Sequence, residues 1–117
     1  MTITDTTVLE ARLILEQAAR ERCSFTYTRF ARRFTTTEID MMNADHRARI
    51  GPLLDAVAEQ TEAEGKGILP VLVVKKQTNR PSKGFFKFAE KCGRNTSNPD
   101  RLVLDEQAKV FNAYEAI

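Results

Sequence analysis

Residues 68–93 read ILPVLVVKKQTNRPSKGFFKFAEKCG, an apolar run that passes into a basic loop and then into an aromatic segment. From Leu69 to Val74 both alternating faces are apolar. A strand over Leu69–Lys76 is therefore expected to be covered on both sides, with Pro70 tolerated near its start. Asn79, Pro81 and Gly84 are turn formers and mark 77–84 as a loop. Beyond it Phe85, Phe88, Ala89 and Cys92 step at i, i+3, i+4 and i+7, and Gly93 is placed as a C-terminal cap. This predicts a helix, with Phe85 and Phe86 at its extended-to-helical boundary.

The same stretch concentrates charge. Between Lys66 and Arg101 there are nine Lys or Arg against Glu90 and Asp100, a local excess of +7 in a chain whose total is +2. The residues before it sum to −3 and those after it to −2. A basic loop beside a short strand is a surface suited to anions or nucleic acid.

Working outward, Val8, Ala11, Ile14, Leu15, Ala18 and Ala19 recur at helical spacing, with Thr7 and Glu10 in capping-box relation, so a first helix is expected to end near Arg22 or Cys23. Ser24-Phe25-Thr26 is β-prone. Tyr27, Phe30, Ala31 and Phe34 then give a short helix with an aromatic inner face, and Arg29, Arg32 and Arg33 form a basic stripe on its outer face. A turn of helix is expected around Ile39–Met42. A longer helix follows from a cap at Asn43 or Asp45, with Ile50, Leu53, Leu54, Val57, Ala58 and Thr61 inward and Gly65 at its end. Gly51-Pro52 interrupts its pattern, so the helix either kinks there or begins at Pro52. Asn98-Pro99-Asp100 opens a last helix, lined by Val103, Gln107, Val110, Phe111, Tyr114 and Ile117.

At 117 residues and 42% hydrophobic, the chain fits a single domain over 1–117. The N-terminus lacks a basic segment followed by an apolar core, and the longest apolar run is far below the roughly 20 residues of a membrane span. A soluble, cytoplasmic protein is expected. Cys23 and Cys92 read as reduced, packed thiols, and Asn95-Thr96-Ser97 is a glycosylation acceptor by spelling only.

Catalysis finds little support. His46 is the only histidine, next to Asp45 in a helix's first turn, where a surface or capping role is the ordinary one. No Cys or His pair has metal-ligand spacing, and Gly65 and Gly67 lack the Lys-Ser or Lys-Thr of a phosphate-binding loop. Glu64-Gly65-Lys66 spells the Glu-x-Lys of some nucleases, but a glycine-broken position before the strand does not suit that motif. The expectation is a non-enzymatic protein without cofactor or metal.

The order helix, short strand, short helix, longer helix, strand and basic loop, across Val8 to Phe88, resembles that of winged helix-turn-helix domains. The fold expected is α+β and mostly helical, winged-helix-like, with about five helices and a two- or three-stranded β element. The resemblance implies that Tyr27–Phe34 is the first helix of the motif, with Arg29, Arg32 and Arg33 over phosphates. It makes Asp45–Glu64 the recognition helix, offering His46, Arg47 and Arg49, and it makes 77–84 the wing. Arg80 and Lys83 then sit at the wing's tip, with Lys75 and Lys76 at its base. An acidic stripe of Asp55, Glu59 and Glu62 runs along the same long helix. Nucleic acid is the expected partner, double-stranded DNA first. The alternative is a protein partner, as for a phage or mobile-element inhibitor of a host protein. A homodimer through the C-terminal helix is a further use of Phe111, Tyr114 and Ile117.

Overall fold

The computed structural model describes residues 2–115. Five α-helices surround one buried apolar segment: α1 (Asp5–Arg20), α2 (Tyr27–Arg32), α3 (Ala44–Ala63), α4 (Lys83–Lys91) and α5 (Pro99–Ala113). The β element is a single parallel pair, β1 (Phe25–Thr26) with β2 (Val73–Val74), in the register Phe25 to Val73 and Thr26 to Val74. The chain is thus mostly helical with a small sheet.

Side chains cap the starts of α1, α2, α3 and α5. Thr4 caps α1: its hydroxyl accepts the Thr7 N–H at 3.2 Å, and the Thr7 hydroxyl accepts the Thr4 N–H at 3.3 Å. The box therefore pairs Thr4 with Thr7 rather than Thr7 with Glu10, and the helix starts earlier than the sequence spacing predicts. Glu10 is occupied elsewhere. Its carboxylate accepts both the hydroxyl and the backbone N–H of Thr35 and of Thr36, at 2.7–3.0 Å. Asn43 caps α3 through the Asp45 and His46 N–H groups, and Asn98 caps α5 through Arg101, with Pro99 in the first turn.

Pro52 lies inside α3, which neither begins nor breaks there. The absent Pro52 N–H leaves the Ala48 carbonyl without its intrahelical partner, but Ala48, Gly51 and Pro52 are all exposed, so water can serve it. Residues 39–42 form no helix: Ile39 is buried, and Met41 and Met42 make a turn closed by Asn43 N–H onto the Asp40 carbonyl at 3.0 Å.

The central segment departs most from expectation. The predicted strand over Leu69–Lys76 is a 3-10 turn, Leu69–Leu72, followed by the two residues of β2. Pro70 sits at the start of the 3-10 turn, where its fixed φ and missing N–H suit the first turn of a helix better than a ladder. Two backbone donors of the segment are taken by side chains: Ile68 N–H by Glu106 at 2.8 Å and Leu69 N–H by Thr61 at 3.3 Å. Every residue from Ile68 to Val74 is buried. The hydrophobic run is thus the axis against which α1, α3 and α5 pack.

After β2 the chain closes a tight loop. Lys75 N–H donates to the Arg80 carbonyl and Asn79 N–H to the Lys75 carbonyl, each at 2.8 Å, with Asn79 in the left-handed region at φ 56°. No strand returns from this loop, because α4 starts at Lys83 and takes in Phe85 and Phe86. The loop expected as a wing is therefore a closed turn leading into a helix.

Candidate nucleic-acid interface

The parallel pairing of β1 and β2 ends both strands at the same edge. Past that edge α2 begins at Tyr27 and the basic loop begins at Lys75. A hydrogen bond from Ser82 N–H to the Tyr27 hydroxyl, at 3.3 Å, ties the far end of the loop to the start of α2. Residues 23–37 contain no Asp or Glu but carry Arg29, Arg32 and Arg33; residues 65–89 contain none either and carry Lys75, Lys76, Arg80 and Lys83. The strand pair thus brings two carboxylate-free basic stretches side by side.

Within α2 the guanidinium groups are organised by a ring. Arg29 lies over Phe25 at 5.6 Å and Arg33 at 5.1 Å from the ring centroid, so the two guanidiniums, four residues apart, share one aromatic platform. Stacking holds a guanidinium in place without neutralising it. Thr26 caps the same helix by accepting the Arg29 N–H at 3.3 Å. Arg32, Lys75, Lys76 and Lys83 are exposed.

Three expected contacts are not offered to a ligand as predicted. Arg80 does not stand free at a loop tip, since its guanidinium meets Asp100 at 2.6 Å. That pair is exposed, and such a pair is worth about 0–1 kcal/mol, so a phosphate can exchange for the carboxylate. Arg47 turns back to donate to the Met41 carbonyl at 2.8 Å, and His46 Nδ1 accepts the Asp40 N–H at 2.8 Å. These two residues hold the linker before α3. Arg49 is exposed on the first turns of α3, a different element from the α2 cluster.

The charge run itself is thinner in space than in sequence. Lys66 reaches Glu64 at 3.2 Å and lies over the Tyr114 ring at 5.3 Å. Arg94 forks onto Glu62 and Glu106, and Arg101 pairs with Asp105. Of the acidic stripe on α3, Glu62 is engaged while Asp55 and Glu59 stay exposed. Glu62 binds Arg94 through two 2.7 Å bonds, which hold its carboxyl below the usual range. Asp55 and Glu59 line a shallow cleft with Lys87 and Lys91 of α4, where burial first and Glu59 second raise the Asp55 pKa.

Comparison with protein-family models, with curated proteins and with solved structures returns no match. The site must be read from its own chemistry. Among the described residues no cluster of His, Cys, Asp or Glu has the geometry to hold a metal ion, and no helix is long and apolar enough to cross a membrane. Cys23 and Cys92 are free and half-buried, and burial followed by the Glu62 charge raises the Cys92 thiol.

Two site features were missed in the sequence. Tyr27 has the aromatic spacing of a core residue yet ends in a hydroxyl that receives the loop, which helical periodicity does not report. Phe25 is the platform for two arginines, and here a signal existed in the four-residue spacing Phe25, Arg29, Arg33. Ile117, assigned to the face of the last helix, lies outside the described residues.

Proposed function

We propose that the chain is a non-enzymatic nucleic-acid-binding module whose contact surface is α2 together with the loop after β2. The observation that carries this reading is the adjacency of the two carboxylate-free segments, secured by the β1–β2 pair and by the Ser82–Tyr27 bond. Arg29, Arg32, Arg33, Lys75, Lys76 and Lys83 then supply cations at one edge, and a phosphate backbone is the polyanion that such an edge suits. Double-stranded DNA is the first substrate to try. We extend the proposal to a winged-helix-like frame in which helix, short strand, short helix and longer helix keep that family's order, while the returning strand of a wing is replaced by α4. The contact is carried by α2 and the loop, because α3 is packed between α1, the 3-10 turn and α4.

The test is a titration of labelled duplex by fluorescence anisotropy over a series of salt concentrations. Each lost phosphate contact lowers the slope of log K against log salt by about 0.9, so Lys75→Ala with Lys76→Ala should reduce it by about 2. Arg101→Ala with Lys109→Ala, on α5, should leave it unchanged. No binding at low salt, or equal losses in both pairs of variants, refutes the reading.

A protein partner, such as a host target of a phage or mobile-element inhibitor, is the second reading. What favours it is the exposed apolar face of α1, with Leu9 and Leu13. A stoichiometric protein retained after nuclease treatment, and retained by the Lys75→Ala/Lys76→Ala variant, would support it over nucleic acid.

A further inference from the structure

Arg80 is the one cation of the basic loop that the chain itself neutralises. Its Nη2 meets Asp100 Oδ1 at 2.6 Å, whereas Lys75, Lys76 and Lys83 make no ion pair among the described residues. Both backbones at this contact are fixed. Arg80 N–H donates to the Thr78 hydroxyl at 3.3 Å, and the Arg80 carbonyl accepts the Lys75 N–H at 2.8 Å, which sets Arg80 across the neck of the loop from Lys75. Asp100 lies in the first turn of α5, behind the Asn98 cap and Pro99. Between Lys66 and Arg101 the carboxylates are Glu90 and Asp100, and of these Asp100 is the one set against a cation of the loop.

We propose that Asp100 is an internal competitor for the nucleic-acid backbone, occupying Arg80 in the free protein and yielding it to a phosphate on binding. This rests on the reading of α2 and the loop as a nucleic-acid interface. A carboxylate and a phosphodiester each offer a guanidinium two acceptor oxygens, so one can stand in for the other at Arg80.

Three features make the exchange easy. The pair is exposed, with the Arg80 side chain 43% and the Asp100 side chain 70% accessible, so water replaces what either partner loses. Asp100 stays favourably placed after Arg80 leaves, because a carboxylate in the first turn of a helix is stabilised by the helix dipole. A backbone engaged by Lys75 delivers a neighbouring phosphate to Arg80 as a tethered ligand, which matches the advantage Asp100 has as part of the chain. A free phosphate lacks that tether. Asp100 therefore favours a polymer over single anions at this position, selecting by competition.

The sign of the effect separates a competitor from a structural staple. If Asp100 only held the loop against α5, its loss would loosen the edge and weaken binding. As a competitor, its loss tightens binding.

The experiment measures binding of labelled duplex DNA by fluorescence anisotropy at low salt for wild type, Asp100→Asn, Arg80→Ala and the double variant, with far-UV circular dichroism on each. Asp100→Ser repeats the measurement with a second neutral side chain. Asp100→Asn is expected to bind about two- to fivefold more tightly, the range that one exposed pair can supply. Arg80→Ala should bind more weakly than wild type, and in its background Asp100→Asn should give less than half of that gain, because the competition is for Arg80. A gain of equal size without Arg80 overturns the exchange and leaves Asp100 as a general repulsive charge. Unchanged or weaker binding by folded Asp100→Asn and Asp100→Ser also overturns it; the interface reading then survives where Lys75→Ala/Lys76→Ala still lowers the salt slope. No binding by any of these proteins at low salt removes the interface and the competitor together.

Discussion

Removing the Glu106 carboxylate should be among the most damaging single changes in this chain. Glu106 is 3% exposed on α5. Its Oε2 accepts the buried Ile68 N–H at 2.8 Å, and its Oε1 accepts Arg94 Nε at 2.8 Å, while both Arg94 terminal nitrogens reach Glu62. Glu106→Ala does two things. It orphans a buried backbone donor at the entry to the 3-10 turn, at a cost of about 1–3 kcal/mol. It also strips one of two carboxylates from a half-buried guanidinium, worth about 1.5–3 kcal/mol as a charge-assisted bond. Together these give about 3–5 kcal/mol, the range found when one member of a buried ion pair is removed. Against a domain stability of about 5–15 kcal/mol, that is a large share. Glu106→Gln separates the two terms, because the amide oxygen can still accept Ile68 N–H while its NH₂ offers Arg94 nothing. It should cost roughly half as much. Urea denaturation followed by circular dichroism gives both values if the slope with denaturant is unchanged. An alanine variant within about 0.5 kcal/mol of wild type would refute the reasoning. So would a glutamine variant as damaging as alanine, since the retained Ile68 acceptor would then contribute nothing.

Gly67→Ala should destabilise by about 1–3 kcal/mol in the same denaturation, because Gly67 has φ +89° and an added Cβ would lie 2.9 Å from Glu106 Oε2 and 3.2 Å from Val110. Thr61→Val should cost about 1–2 kcal/mol by leaving the buried Leu69 N–H without its 3.3 Å acceptor; a change under half of that would mean the bond is not made in solution. Glu10 gives a pH prediction. Partial burial pushes its carboxyl up, but the hydroxyl and N–H groups of Thr36 and Thr35 outweigh that and hold it at about 2, against 4.5 unperturbed. A folded pKa below the unfolded one adds stability above pH 4.5, and that stability is lost as pH falls toward 2. With solvent screening its share is about 1 kcal/mol, so Glu10→Gln should lower neutral stability by that much and flatten the acid limb. Glu64, held at about 2 by Arg12 first and Lys66 second, titrates over the same window, so wild type and variant are compared at each pH.

How much was legible follows from what each signal reports. Helical periodicity found α1, α3, α4 and α5 because their buried stripes recur at 3.6 residues; Asn98-Pro99 marked the start of α5, and of the two caps the sequence offers α3, Asn43 and Asp45, the structure uses Asn43. It failed over 69–76, where a fully buried segment has no polar face to set a period. A short apolar run reads alike as strand or as any other buried backbone. What decided the matter was tertiary: Glu106 and Thr61 supply the acceptors that a ladder would have supplied. The cap of α1 was misplaced for a related reason. Thr7 and Glu10 have box spacing, but so do Thr4 and Thr7, and Glu10 had a distant use at Thr35 and Thr36 that no local pattern reveals.

The charge reading changed in the same way, and the change bears on function. A net +2 and an acidic stripe on α3 look unfavourable for a polyanion ligand when summed along the chain. Folding sorts those charges. Glu62 and Glu106 consume Arg94, Glu64 consumes Arg12 and Lys66, and Asp105 consumes Arg101, so much of the acid is matched at the α3 and α5 side of the molecule. Arg29, Arg32, Arg33, Lys75, Lys76 and Lys83 have no such partner and lie on the two carboxylate-free segments joined by β1 and β2, where Asp100 meets Arg80. A small net charge therefore does not imply a weak local field, because at separations within a Debye length of about 8–10 Å the neighbouring cations act together while the paired acids, compensated at contact distance, add little. The small net charge therefore does not by itself oppose the proposed contact along α2 and the loop.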